Sequence, residues 1–264
     1  MSEDLVLELK DLSIQFHAKQ VLNHINLHVK RGQIIGYIGP NGAGKSTTVK
    51  IILGLLDRYQ GHVHVFGQDI RHGTVEYKRR IGYVPENGEI YDDLTAQEYI
   101  LFVGQMYGMD AEIIKRKLAV LLEKFDMKTV THSRIGTFSK GMKQKLLIIA
   151  SLIHNPDLIF FDEPLSGLDA NSVMIIKEMM AQLAKQGKTI FYSSHIMDVV
   201  EKISDRILLL NEGEIVADGS FDQLKAKNKE GTLEQIFNQL TGFDQHQQLA
   251  EDVVAVIHGD DNNE

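Results

Sequence analysis

GPNGAGKST, residues 39–47, places glycines at 39, 42 and 44, a lysine at 45 and a hydroxyl residue at 46. That is the spacing of a loop that wraps a polyphosphate. Glycine lets the backbone turn its N–H groups inward, and the helix the loop opens adds the positive end of its dipole. The apolar run at 34–38 reads as a buried strand and residues 46–56 read as a helix, which is the context the motif needs. Lys45 is then placed to reach the β and γ phosphates, and the Ser46 hydroxyl to hold Mg²⁺. A glycine-rich turn joining strand to helix is the plainer reading. At average residue frequencies the fixed positions match by chance in roughly one chain of this length in a hundred, so binding of a nucleoside triphosphate is expected.

The 264 residues, 43% of them hydrophobic, suffice for one large α/β domain with lobes. A net charge of −8 argues against nucleic acid as the main partner, because neutralising phosphates needs a basic face. There is no cysteine, which excludes a disulfide framework and a cysteine zinc site and is compatible with a reducing cytoplasm. The start, MSEDLVLELK, lacks the basic and apolar regions of a signal peptide, and no apolar run approaches the ~20 residues that span a bilayer. Work at a membrane therefore calls for a spanning partner.

Ahead of the phosphate loop, residues 5–9, 12–16 and 25–29 read as half-exposed antiparallel strands forming a small sheet. Phe16 stands beside the turn HAKQ, where its ring is either a core residue or a platform for a purine, a stacking worth ~1 to 3 kcal/mol. After the loop, residues 61–66 alternate again. Their His62 and His64 have metal-pair spacing but no third ligand nearby, so they read as a solvated strand face. A strand then enters a polar loop at Glu86, Thr95 and Glu98 form a capping box, and residues 111–125 read as an amphipathic helix.

FSKGMKQK at 138–145 precedes the apolar run LLIIASLI. Ser139 is a plain helix cap, or it opens a second anion site with free N–H groups and the charges of Lys140 and Lys143, Gly141 letting another group approach. The apolar residues 158–161 end in Asp162, Glu163 and Pro164. Adjacent carboxylates at such a strand end are costly unless a cation or a reacting water uses them. Asp162 suits Mg²⁺, and Glu163 suits a base polarising water towards a γ phosphate. LSGLDA leads to a helix with Val173, Ile176, Met180 and Leu183 as its core stripe. The strand at 189–192 then delivers Ser193, Ser194 and His195 to the sheet edge where ligands bind. A hairpin over 206–217 closes the domain. Beyond about residue 220, Thr232 and Gln235 form another capping box, the helix it opens carries Leu233, Ile236, Phe237 and Leu240, and a short helix around 249–257 precedes the acidic GDDNNE.

The ordered set GPNGAGKST, FSKGMKQ, LIFFDEP, SGLD and SSH resembles the ATP-binding cassette (ABC) ATPases over roughly residues 5–224. The resemblance implies an α/β fold: a RecA-like P-loop NTPase core with an antiparallel β subdomain and an α-helical signature subdomain at about 87–155. Residues 1–224 would be the nucleotide-binding domain and 225–264 a helical C-terminal extension. By resemblance Phe16 matches the aromatic that stacks on adenine, and Gly39, Pro40, Asn41, Gly42, Ala43, Gly44, Lys45, Ser46 and Thr47 match the Walker A loop. Asp162 and Glu163 match the Walker B acid and the catalytic base, Ser139 and Gly141 the signature motif, Asp169 the D-loop and His195 the switch histidine. ATP and Mg²⁺ are the implied cofactors, with catalysis on Glu163, His195 and Lys45 and the metal on Ser46, Asp162 and Glu86.

Cassettes of this family work in pairs, each signature motif facing its partner's Walker A loop. A second cassette, identical or different, and an integral membrane permease on a separate chain are therefore implied partners, at the cytoplasmic face of the cell membrane. Two positions depart from the pattern: LSGGQ is FSKGM here, and the Q-loop glutamine is Glu86. PE in this loop with SKGMKQ is similar to the cassettes of ABC-2 type exporters, including antibiotic resistance and immunity systems. The alternative is a soluble cassette ATPase acting on a ribosome, nucleic acid or assembly scaffold. The acidic charge and the lack of a tandem second cassette or a long coiled coil weigh against it.

Overall fold

The computed structural model describes residues 4–242 and 246–258. The chain opens with an antiparallel pair, β1 (Leu5–Phe16) and β2 (Lys19–Lys30), followed by the apolar strand β3 (Ile34–Ile38) and helix α1 (Lys45–Ile52). Next come β4 (Gln60–Val65), β5 (Gln68–Asp69) and β6 (Ile81–Val84). Three helices follow, α2 (Ala96–Met106), α3 (Ala111–Lys124) and α4 (Lys140–Leu152). Then β7 (Leu158–Asp162), α5 (Ala170–Lys185), β8 (Thr189–Ser193) and α6 (Met197–Ile203) alternate. The hairpin of β9 (Arg206–Asn211) and β10 (Glu214–Gly219) leads to α7 (Phe221–Asn228), α8 (Leu233–Thr241) and α9 (His246–His258).

Two sheets result. One has the order β10-β9-β3-β8-β7-β6, parallel except for the β9–β10 hairpin; the other, β2-β1-β4-β5, is antiparallel throughout. β3 and β8 are buried at every position, as parallel strands covered on both faces must be. Alternation along β3 splits the interior: Ile34 and Ile38 join the core formed with the helices, while Ile35 and Tyr37 join the core shared with the antiparallel sheet and α1. Each fully buried side chain in these layers, such as Phe160 or Leu209, contributes about 1.5–3 kcal/mol of transfer free energy. The consequence for the site is geometric. β3, β6, β7 and β8 run parallel, so the residues following all four gather at one edge.

Local signals hold where they are short-range. Thr95 and Glu98 form a full capping box on α2, as do Thr232 and Gln235 on α8, and Ser139 caps α4. Three expectations change. The strands expected at 5–9 and 12–16 are one strand, whose pairing slips between Leu9 and Leu12 around Asp11 at φ 50°. The antiparallel sheet does not lie wholly ahead of the phosphate loop, because β4 pairs with β1 and buries Val63 and Val65 against it. The helix after the loop stops at Ile52 rather than 56, where Gly54 turns to φ 63° and donates to Ile51 O at 2.8 Å.

At the C-terminal end, Leu233 and Ile236 are fully buried and Leu233 N donates to Glu201 Oε2 of α6 at 3.1 Å, so α8 is anchored on the helix that follows His195. α9 extends the expected short helix to 13 residues, with Val253, Val254, Val256 and Ile257 exposed. The acidic GDDNNE at 259–264 lies outside the described residues.

Candidate nucleotide site

The phosphate loop is pressed between strands. A Cβ at Gly39 would sit 2.2 Å from Leu210 O, and one at Gly44, at φ 109°, would sit 2.5 Å from Leu22 Cδ2 and 2.8 Å from Val21 O. Only glycine fits either place. Lys45 Nζ bridges the loop, donating to Gly39 O at 2.6 Å and Pro40 O at 3.1 Å. Burial lowers its pKa, and the facing carboxylates of Asp162, Glu163 and Glu86 oppose that shift. The ammonium thus sits partly desolvated opposite three acids, where a bound anion would feel it strongly.

A cleft of about 280 Å³ brings together most of the expected residues: Phe16, Gly39, Asn41, Gly42, Gly44, Lys45, Ser46, Thr47, Glu86, Asp162, Glu163 and His195. Phe16 is 42% exposed at its mouth, which excludes the alternative of an ordinary core residue. Pro40 and Ala43 do not line the cleft. Ala43 is buried among core residues, and Pro40 turns its carbonyl inward to Lys45 and to Ala43 N, so both shape the loop.

The carboxylates are held by β8 and its end. Asp162 accepts from Ser193 Oγ. Glu163, at φ 48°, accepts from His195 N at 2.7 Å through Oε1 and from Ser194 Oγ at 3.3 Å through Oε2. Burial raises the Glu163 pKa, opposed by His195, its backbone N–H and Ser194. A half-buried carboxylate that takes up a proton more readily is suited to accept one from water. The His195 ring is exposed, with Nε2 3.8 Å from Glu163 Oε1. Ser193, Ser194, Lys19 and Val21 also line this cleft. The serine pair stood in the SSH string, but its partners are 31 residues away in β7 and the segment after it.

Ser139 and Gly141 are not part of this cleft. Ser139 is exposed and accepts from Met142 N at 3.2 Å. The group that Gly141 admits belongs to the same chain, since a Cβ there would lie 2.6 Å from Gly167 O. The two lysines expected to add charge have partners: Lys143 Nζ is 2.6 Å from Asp92 Oδ1, and Lys140 Nζ donates to Ser166 Oγ at 3.0 Å. His62 and His64 face Asp69 and Glu8 respectively, and among the described residues no cluster of three or more His, Cys, Asp or Glu side chains is placed to hold a metal ion by itself.

With this geometry in place, similarity to known proteins decides the family. The family model described as ABC transporter matches residues 22–166, and the ABC transporter ATP-binding protein NatA of Bacillus subtilis (strain 168) is 37% identical over 238 residues, covering 88% of this chain and 96% of that protein. The chain belongs to the ABC transporter ATP-binding family. ABC cassettes bind ATP and are ATPases, and this one is built as they are. The bacitracin transport ATP-binding protein BcrA of Bacillus licheniformis is 35% identical, over 85% of this chain and 72% of its own length. A solved ATP-binding subunit of an ABC transporter, 34% identical, superposes with a TM-score of 0.83 over 89% of this chain and 99% of its own. A second family model, an AAA domain described as a putative AbiEii toxin of a type IV toxin-antitoxin system, matches the shorter stretch 134–201, inside the same ATPase core.

Proposed function

We propose that this cassette powers a membrane transporter by closing on a second cassette over ATP and Mg²⁺, coupled to a permease on a separate chain. The observation that carries the reading is the separation of the phosphate-loop cleft from the exposed α4 N-terminus. One cleft gathers the phosphate loop, three carboxylates and a histidine, while the α4 N-terminus at Ser139 stands exposed outside it. A second cassette would supply the phosphate for Ser139 and for the backbone N–H of Gly141, whose Cα side is closed by Gly167 O of its own chain. Phe16 stacks on the adenine, residues 39–47 wrap the phosphates and Lys45 meets the terminal ones. Glu163 takes the proton of the attacking water, and His195 bonds the γ phosphate. The hard oxygen donors of Ser46, Asp162 and Glu86 border the same cleft and fit Mg²⁺. Held there, the ion would supply neutralisation of charge on the phosphate oxygens.

Residues 1–224 serve as the nucleotide-binding domain, with its helical subdomain at about 87–155. Residues 225–264 form an extension that contacts a partner or regulates, since none of the phosphate chemistry lies in it. No helix among the described residues is long and apolar enough to cross a membrane. The spanning part is assigned to the permease and this chain to the cytoplasmic face, a reading supported by the likeness to ATP-binding proteins of ABC transporters. Export is the favoured direction, supported by the likeness to a bacitracin transport protein. Gentle fractionation tests this: a stoichiometric integral membrane protein should co-purify, whereas ribosomes or DNA without one would overturn the reading.

The stacking role has its own test. Phe16→Ala should weaken ATP by about 5- to 150-fold, corresponding to loss of ~1 to 3 kcal/mol of stacking, and leave inorganic triphosphate unaffected. Equal losses for both in a competition titration would show that Phe16 does not touch the base.

A further inference from the structure

Lys140, Gly141, Gln144 and Lys145 lie on one side of α4, because 140 and 144, 141 and 144, and 141 and 145 are three or four residues apart and so adjoin on a helix. That face grips residues 164–169, the segment between Glu163 and α5. Gln144, only 6% exposed, donates Nε2 to Pro164 O at 3.2 Å. Lys140 Nζ donates to Ser166 Oγ at 3.0 Å. The Lys140 stem covers Gly167, where a Cβ at φ 75° would lie 3.1 Å from both Lys140 Cγ and Cδ. Gly141 is in turn closed against Gly167 O, and Lys145 Nζ is 3.5 Å from Asp169 Oδ2. The helix therefore meets the segment at 164, 166, 167 and 169.

The segment in turn holds Glu163. Ser166 N donates to Glu163 O at 3.1 Å, and Glu163 N donates to Ser193 O at 3.1 Å. Ser166 is thus bound to Lys140 through its side chain and to Glu163 through its backbone. A shift of α4 reaches the Glu163 backbone through one residue, while the carboxylate stays tied to Ser194 and His195. We propose that Lys140 and Gln144 are positioning residues for Glu163, acting through residues 164–169 and not on the nucleotide. The proposal rests on Glu163 being the base. Its consequence is that anion capture at Ser139, on the first turn of the same helix, changes the placement of Glu163 in the same chain.

The test is steady-state ATP hydrolysis by the full chain, assembled with its permease where hydrolysis requires it. Lys140→Ala removes an exposed side chain and leaves the core untouched. It should lower kcat about tenfold with KM for ATP within about twofold, since misplacing a base costs rate and not ground-state binding. Ser166→Ala should do the same, the double variant should be no slower than either single one, and Lys140→Arg should recover most of the rate. Gln144→Leu, confirmed folded by thermal melting, should also lose kcat at constant KM. An unchanged kcat in Lys140→Ala, a raised KM at constant kcat, or multiplied losses in the double variant would each overturn the proposal. Glu163→Gln in the same assay separates the two failures, because full hydrolysis there would remove the base and not its positioning.

Discussion

Glu163→Gln is expected to bind ATP and to hydrolyse it about 10²- to 10⁴-fold more slowly than the native chain. The substitution suits the geometry. The amide oxygen can still accept from His195 N, and the amide nitrogen can donate to Ser194 Oγ, which turns its hydroxyl to accept. What disappears is proton acceptance, the property that burial strengthens in the native carboxyl. Binding without turnover should accumulate the closed pair, seen by sedimentation as an ATP- and Mg²⁺-dependent dimer, or as a closed complex when the permease is required to align the two cassettes. Adding Ser139→Arg should abolish closure, because it puts bulk and charge at the exposed α4 N-terminus while each chain's phosphate loop is untouched. Ser139 also caps α4, so the double variant is compared at matched fold by thermal melting, its lost cap costing about 0.5–2 kcal/mol. Closure that survives Ser139→Arg would refute the second anion site.

Lys45→Ala is expected to weaken ATP about 10- to 150-fold, equivalent to losing a charged hydrogen bond of ~1.5–3 kcal/mol. Three physical effects act in the same direction. The cation that would meet the terminal phosphates is removed, and the carboxylates of Asp162, Glu163 and Glu86 are left without the ammonium they face. The loop also loses the bridge from Nζ to Gly39 O and Pro40 O, so its N–H groups are less preorganised. Titration with a fluorescent nucleotide and displacement by ATP measures this directly. Undiminished affinity would show that Lys45 serves only to brace the loop.

What the amino-acid sequence determined by itself is whatever depends on neighbours within a turn or two. The capping boxes at Thr95 and Thr232, the cap at Ser139, the apolar strands ending in Asp162 and Ser193, and the glycine spacing of residues 39–47 are of this kind. Their partners lie three or four residues away, or their signal is a run of uniform polarity. Tertiary structure decided the rest. β4, which follows the phosphate loop in the chain, pairs with β1 ahead of it, and Ser193 and Ser194 hold carboxylates of β7 and of the segment after it. Lys143 is taken by Asp92, 51 residues distant, and Lys140 by Ser166, 26 residues distant. The charge on these two lysines was legible, but its use was not. A cation at a helix N-terminus is available to a ligand only if no carboxylate or hydroxyl of its own chain is folded within reach, and that follows from how the helical layer packs on the parallel sheet.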